Sequence, residues 1–251
     1  MYISSSSFSY RLLSGLLFCL LIACRNEADS NNQYVNKWIG TGLEGRVAPV
    51  ASVPFGMMQI GADTRPYGAG YHYDDPSILG FSHLHKSGGG CADFLDILFM
   101  PLPLNSGMAD EELYSKQHQA VLSHKDEKAE PEYYSVGLYD KQLTVELTAS
   151  RRCGLQRYTY ASEGEIPVIV DLKYGSESAC TIQSEHDVDT VYASAFEWVD
   201  PYTVRGYRCS NGWTPGQQVY FYSGVRFICR RPANGGDDFG GRNEHKGFID
   251  F

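Results

Sequence analysis

Four residues in the stretch SHLHKSGGGCAD, which runs from Ser82 to Asp93, are of types that bind metals, move protons or attack carbon: His83, His85, Cys91 and Asp93. The two histidines are two apart, so on a strand they point to one face. Imidazole, thiolate and carboxylate all bind zinc. The spacing is not a standard zinc spacing, however, and the chain has no CxxC pair. Cys91 as a nucleophile needs a histidine in contact, which nearness in sequence does not supply. A phosphate loop closes its glycines with Lys-Ser or Lys-Thr, whereas here Lys86-Ser87 precede them. Two readings remain. One is a polar loop whose histidines hydrogen-bond locally. The other is a sugar pocket, in which His, Asp and the amides of a glycine loop meet hydroxyl groups.

A glycosidase needs two carboxylates flanking the bond, roughly 6.5–9.5 Å apart when the reaction inverts configuration. Asp74, Asp75, Asp93, Asp96, Glu111 and Glu112 are available, but nothing local pairs any two of them. Asp74-Asp75 reads as a turn before Pro76. No catalytic residue and no metal ligand is assigned in this chain.

Such a loop must hang on strands. From Tyr133 onward the chain reads as strands at short intervals. In KQLTVELTA, Leu143, Val145 and Leu147 alternate with Thr144, Glu146 and Thr148, a period of two with one buried face. YYSVGLY, GLQRYTY, CTIQSEH, DTVYASAF, YTVRGYR and QQVYFY continue the series, separated by turn-forming YDKQ, SEGEIP, YGSES and SNGWTPGQ. IPVIVDL is apolar on both faces and is expected to be central. Before Tyr133, VPFGMMQIG and DILFMPLPL read as buried strands, and ADEELYSKQ as a short helix. The fold class expected is all-β, a β-sandwich.

The first 24 residues read as a targeting segment. Arg11 precedes the apolar LLSGLLFCLLIA, which is short for a membrane span and ends in LIAC. That ending marks a bacterial lipobox with Cys24 as the lipidated residue. Residues 25–33 read as a polar linker, and the fold as residues 34–224. Residues 225–251 lose the strand pattern and gather Gly, Arg, Asn and Asp. They are expected to be a disordered, aberrant tail, read out of frame. A lipid anchor puts the protein in the cell envelope, in the periplasm or at the outer membrane and cell surface; Arg25 rather than Asp after the cysteine fits the outer membrane. Without Cys19 and Cys24, five of the seven cysteines remain, an odd number that implies no closed disulfide framework. The net charge of −9 argues against a nucleic-acid partner. Aromatic content of 13%, with 18 tyrosines, suits strands and also carbohydrate binders.

Several stretches together resemble the N-terminal domain of glycoside hydrolase family 92, the calcium-dependent exo-α-mannosidases. They are YVNKWIGTG, VPFGMMQIGADTR, GYHYDDPSILGFSHLHKSGGGCADFLDILFMP, EPEYYSVGL, LTVELTASRRCGLQRYTY and GYRCSNGWTPGQQVYFY. The resemblance spans about Tyr34 to Tyr222, with GFSHLH to GCAD its most specific part. It implies a galactose-mutarotase-like supersandwich followed by an (α/α)6 barrel. That barrel would hold the inverting acid and base and most calcium ligands. It further implies that Tyr71, His83, His85, Gly90, Cys91 and Asp93 bind substrate, with mannose-containing glycans and calcium as ligands of the whole enzyme. Two departures stand out. Ala92 replaces a glycine common in the family, and only Pro66-Tyr67-Gly68-Ala69 stands where many α-1,2-cleaving members carry a tryptophan. The resemblance stops short of that barrel, so the chain is expected to be a fragment that is inactive alone. The alternative is a stand-alone, lipid-anchored carbohydrate-binding module.

Overall fold

The computed structural model describes residues 31–104, 118–176, 188–226 and 247–250. The targeting segment with Cys24, the expected helix at ADEELYSKQ and the strand at CTIQSEH lie outside those residues. Two units are distinguished, residues 1–35 and 36–251. Of the first, the described part is a 3-10 turn, Asn31–Tyr34. Everything below concerns the second.

Its strands are β1 (Gly61–Asp63), β2 (Ser77–Ile78), β3 (Gly80–Ser82), β4 (Leu98–Pro101), β5 (Ala120–Val121), β6 (Glu127–Glu130) and β7 (Tyr133–Leu138). There follow β8 (Leu143–Ala149), β9 (Gly154–Tyr160), β10 (Val168–Asp171), β11 (Thr190–Asp200), β12 (Thr203–Asn211), β13 (Gln217–Arg226) and β14 (Gly247–Asp250). Eight of them form one sheet in the order β11-β12-β13-β14-β9-β8-β7-β6; four form another, β1-β3-β4-β10, and β2 pairs with β5. One apolar core draws Phe81, Phe99 and Met100 from the four-stranded sheet and Val136, Val145, Leu147 and Tyr158 from the large one. That shared core is what makes the all-β chain a sandwich.

The period-two strand behaves as its sequence dictates. Leu143, Val145 and Leu147 are buried while Thr144 faces water. Val145 sits between Val136 of β7 and Tyr158 of β9, where each fully buried aliphatic side chain contributes about 1.5–3 kcal/mol. DILFMPLPL supplies β4, buried at every position.

Three expectations are corrected. IPVIVDL gives β10, which lies at an edge of the four-stranded sheet and is half-buried throughout. Its double-sided apolar pattern reflects partial cover on both faces rather than a central place. VPFGMMQIG is not a strand. It turns at Val53–Gly56 and leaves Phe55 fully in solvent with φ of 59°. Of the tail expected to be disordered, residues 227–246 lie outside the described residues. Gly247–Asp250, however, pairs antiparallel with both β13 and β9. Without a strand there, both neighbours would present unpaired backbone groups in the middle of the sheet.

Candidate functional site

The loop between β3 and β4 begins with two histidines that the sandwich core absorbs. His83 is 2% exposed. Its Nδ1 lies 2.8 Å from the Ile97 carbonyl and its Nε2 2.9 Å from Gln156 Nε2. The Tyr158 hydroxyl donates to Gln156 Oε1 at 2.7 Å. A consistent chain of donors results: Tyr158 to Gln156, Gln156 to His83, and His83 Nδ1–H to the Ile97 carbonyl. Burial chiefly pushes the His83 imidazole down to about 3, so at neutral pH the ring is uncharged, as this chain of hydrogen bonds requires. His85 is equally buried. Its Nδ1 meets the Gln59 carbonyl at 2.9 Å and its Nε2 lies 3.3 Å from Asp63 Oδ1. The other Asp63 oxygen accepts the Ser82 amide at 2.8 Å.

Past the histidines the backbone is strained. Of the triple glycine, Gly88 takes a positive φ of 75°, and its amide reaches the Arg46 carbonyl at 2.7 Å. The larger strain falls on side chains that resist it. Phe94, Leu95 and Ile97 have φ of 67°, 62° and 56°. Such conformations cost about 1–3 kcal/mol each and persist where the surroundings over-determine them. The surroundings do so here. Leu95 N–H bonds the Leu84 carbonyl at 2.7 Å, and His83 N–H bonds the Asp96 carbonyl at 3.1 Å.

Asp93 anchors the near side. It is 5% exposed, and its two oxygens accept the Thr214 amide at 3.1 Å and the Thr214 hydroxyl at 2.9 Å. The Trp213 amide donates to the Ala92 carbonyl at 3.0 Å. The GGGCAD loop thus docks on the β12–β13 turn, NGWTPG. Gly212 is required at this junction, because a Cβ there would collide with the Ala92 carbonyl oxygen.

Asp96 anchors the far side. Its carboxylate pairs with Arg208 Nη1 and accepts Gln217 Nε2 at 2.9 Å. Arg208 is fully buried and also reaches Asp189 Oδ2 at 2.7 Å and the Leu172 carbonyl at 3.2 Å. A guanidinium shared by two buried carboxylates spans β12, the loop and the segment before β11. Lys86 stands at the start of the same loop. Burial lowers its ammonium from the usual lysine range, against the pull of Cys91, Asp93 and Asp189.

Of the residues expected to form the site, the loop brings together Gly90, Cys91 and Asp93, with Gly90 and Cys91 partly exposed. His83 and His85 lie at its root. Tyr71 is buried, and its hydroxyl donates to the Glu127 carboxylate at 3.0 and 3.1 Å. Burial first, and then the Glu127 charge, raises that phenol far above its ordinary value. Sequence reasoning did not single out Lys86, Trp213, Thr214, Asp96 or Arg208 as a set. Asp93 and Thr214 are 121 residues apart, and the one local signal was the turn chemistry of NGWTPG. Calcium fits poorly with what is present. It takes six to eight oxygens, and among the described residues no three His, Cys, Asp or Glu side chains converge to hold a metal. Asp63, Asp93 and Asp96 are all engaged elsewhere, so no chemical step is derived through calcium.

Residues 34–233 match the model of the glycosyl hydrolase family 92 N-terminal domain. The match runs past Val225, where the strand pattern of the sequence weakens. The chain is similar to a family GH92 α-mannosidase of Bacteroides thetaiotaomicron, with 28% identity and a TM-score of 0.65 over 87% of this chain and 30% of that one. The same enzyme in complex with mannoimidazole superposes with the same figures. An uncharacterized secreted glycosidase of Arthroderma benhamiae is 30% identical over 174 residues, which is 65% of this chain and 22% of that protein. The chain thus spans less than a third of the length of these relatives.

Proposed function

The chain belongs to glycosyl hydrolase family 92 through its N-terminal domain, and from that premise we propose that it is the sugar-recognising β-domain of an α-mannoside hydrolase. The carrying observation is the loop from Ser87 to Asp96. It is strained at two non-glycine residues, Phe94 and Leu95, with Ile97 strained just past its end, and it is clamped by Asp93 to Thr214 and by Asp96 to Arg208. Strain held by that many contacts is the mark of a positioned loop rather than a connector.

In this reading Gly90 and Cys91 face the ligand. His83, His85 and Asp93 act on it through the loop they hold, because their polar atoms are already engaged within the protein, and the Tyr71 hydroxyl is committed to Glu127. The ligand class is the terminal α-mannoside of a glycan. Support comes from the α-mannosidase likeness at 28% identity and from the mannoimidazole bound to that relative. Export is supported by the name of the secreted glycosidase of Arthroderma benhamiae; retention in the cell envelope rests, with the lipid, on the sequence alone. Attachment through a lipid on Cys24 rests on the LIAC sequence.

Cleavage needs an acid for the leaving oxygen and a base for water across the ring. The carboxylates around this loop are committed: Asp93 to Thr214, Asp96 to Arg208 and Gln217, Asp63 to Ser82. The chain by itself is therefore proposed to bind and orient a mannoside without hydrolysing it. Calcium would be bound by parts of the enzyme other than these residues. The test is to incubate the purified chain with α-1,2-, α-1,3- and α-1,6-mannobiose and calcium, and to measure free mannose. No release above the buffer control is expected; release that scales with protein concentration would overturn the proposal. A stand-alone binding module makes the same forecast, and the fusion described at the end of the Discussion separates the two.

A further inference from the structure

The clamp that fixes the loop also fixes a large side chain that the core does not use. Trp213 is 65% exposed. An indole is usually buried for the apolar surface it removes from water. Here its backbone is tied down instead. Its own amide is held by Ala92, the next residue gives both its donors to Asp93, and the preceding Gly212 presses against Ala92. The side chain is thus presented to solvent from a backbone fixed against Ala92.

A second observation concerns the start of the same loop. The Lys86 ammonium nitrogen is buried and has no hydrogen-bond partner among the described residues, although Cys91, Asp93 and Asp189 are close enough to act on its charge. An ammonium has three donors and no acceptor, and a buried donor left unmade is costly. An acceptor brought by a ligand would relieve it.

We propose that Trp213 is the apolar platform of the site, on which one C–H face of a hexopyranoside ring lies, and that Lys86 donates to hydroxyl oxygens of the same ring. An indole face on the β12–β13 turn and a cationic donor on the loop docked against that turn match the two kinds of surface that a pyranose offers: a patch of C–H bonds and a rim of hydroxyls. The inference rests on the reading of this loop as mannoside-binding and assigns the residues that make the contacts.

The probe is methyl α-D-mannopyranoside at millimolar concentration, observed by saturation-transfer NMR with the full chain. Transfer to ring protons is expected to be strongest on one face of the sugar. W213A should reduce it at least fivefold, W213F should retain most of it, and K86M should reduce it severalfold, all with unchanged circular dichroism. If the wild-type chain shows transfer and W213A shows the same, Trp213 is not in the site, while the mannoside reading survives. If W213A loses transfer but K86M matches wild type, the lysine half is overturned and the platform stands. If the wild-type chain shows no transfer, the mannoside reading of the loop fails, and the platform with it.

Discussion

The carboxylate of Asp93 accepts both donors of Thr214, its amide at 3.1 Å and its hydroxyl at 2.9 Å. This pair joins the loop after β3 to the turn after β12. Truncating Asp93 to Ala leaves two Thr214 donors without their acceptor and releases a strained segment. We expect D93A to lose about 1–3 kcal/mol of stability and T214V somewhat less. A double-mutant cycle from urea titrations should show the two effects to be strongly non-additive, since they remove one interaction. Additive losses would mean that the contact carries little energy.

Arg208 is the only cation in contact with both Asp96 and Asp189 among the described residues. R208A leaves two buried carboxylates unpaired, which costs about 3–5 kcal/mol for a buried pair. That is a large part of the total stability of a domain. The expected result is a chain that fails to unfold cooperatively, whereas R205A, at an exposed pair with Glu197, changes the midpoint little. Equal behaviour of the two variants would contradict the assignment.

His83 sets a pH dependence. Its folded value of about 3 lies below the ordinary histidine value of 6.5, because burial disfavours the charged ring. Between those values the unfolded chain takes up a proton that the folded chain refuses, so stability rises with pH in that window. The contribution is fully present above about pH 6.5 and is lost as pH falls toward 3, with a size on the order of a few kcal/mol. Urea midpoints measured between pH 7 and pH 4 should fall more steeply for wild type than for H83Q. Parallel curves would show that this ring is not the responsible group.

Much of the architecture could be read from the chain. The alternation in LTVELTA and the turns between YYSVGLY, GLQRYTY and YTVRGYR place β7, β8, β9 and β12 because one side of each strand meets a core. β10 was misplaced because a continuous apolar run looks the same whether both faces are covered fully or by halves. At the site, the loop was legible from residue types alone, but its roles were not. His83 and His85 look like ligands in sequence, and only tertiary partners such as Gln156 and Asp63 show their polar atoms to be engaged within the core. Thr214 and Arg208 could not be found, since nothing local marks a turn threonine or a strand arginine as the partner of a distant aspartate.

The lipid anchor is decided by mass. The LIAC ending predicts that the envelope form of the protein begins at Cys24 and carries acyl chains on it. Intact-mass measurement of the detergent-extracted protein should show the acylated Cys24 form, and C24S should remove the acyl mass. A mature chain that begins elsewhere without acyl mass would end this proposal.

The central claim is that the β-domain positions a mannoside for chemistry performed outside it. It is tested most directly by kcat/KM of a fusion in which residues 34–233, the span of the family match, replace the matching segment of the Bacteroides thetaiotaomicron α-mannosidase. The fusion is predicted to release mannose from an α-mannoside. D93A within it is predicted to lower kcat/KM tenfold or more, about 1.4 kcal/mol of transition-state binding. A folded fusion that releases no mannose, or a D93A fusion as active as its parent, would contradict the account.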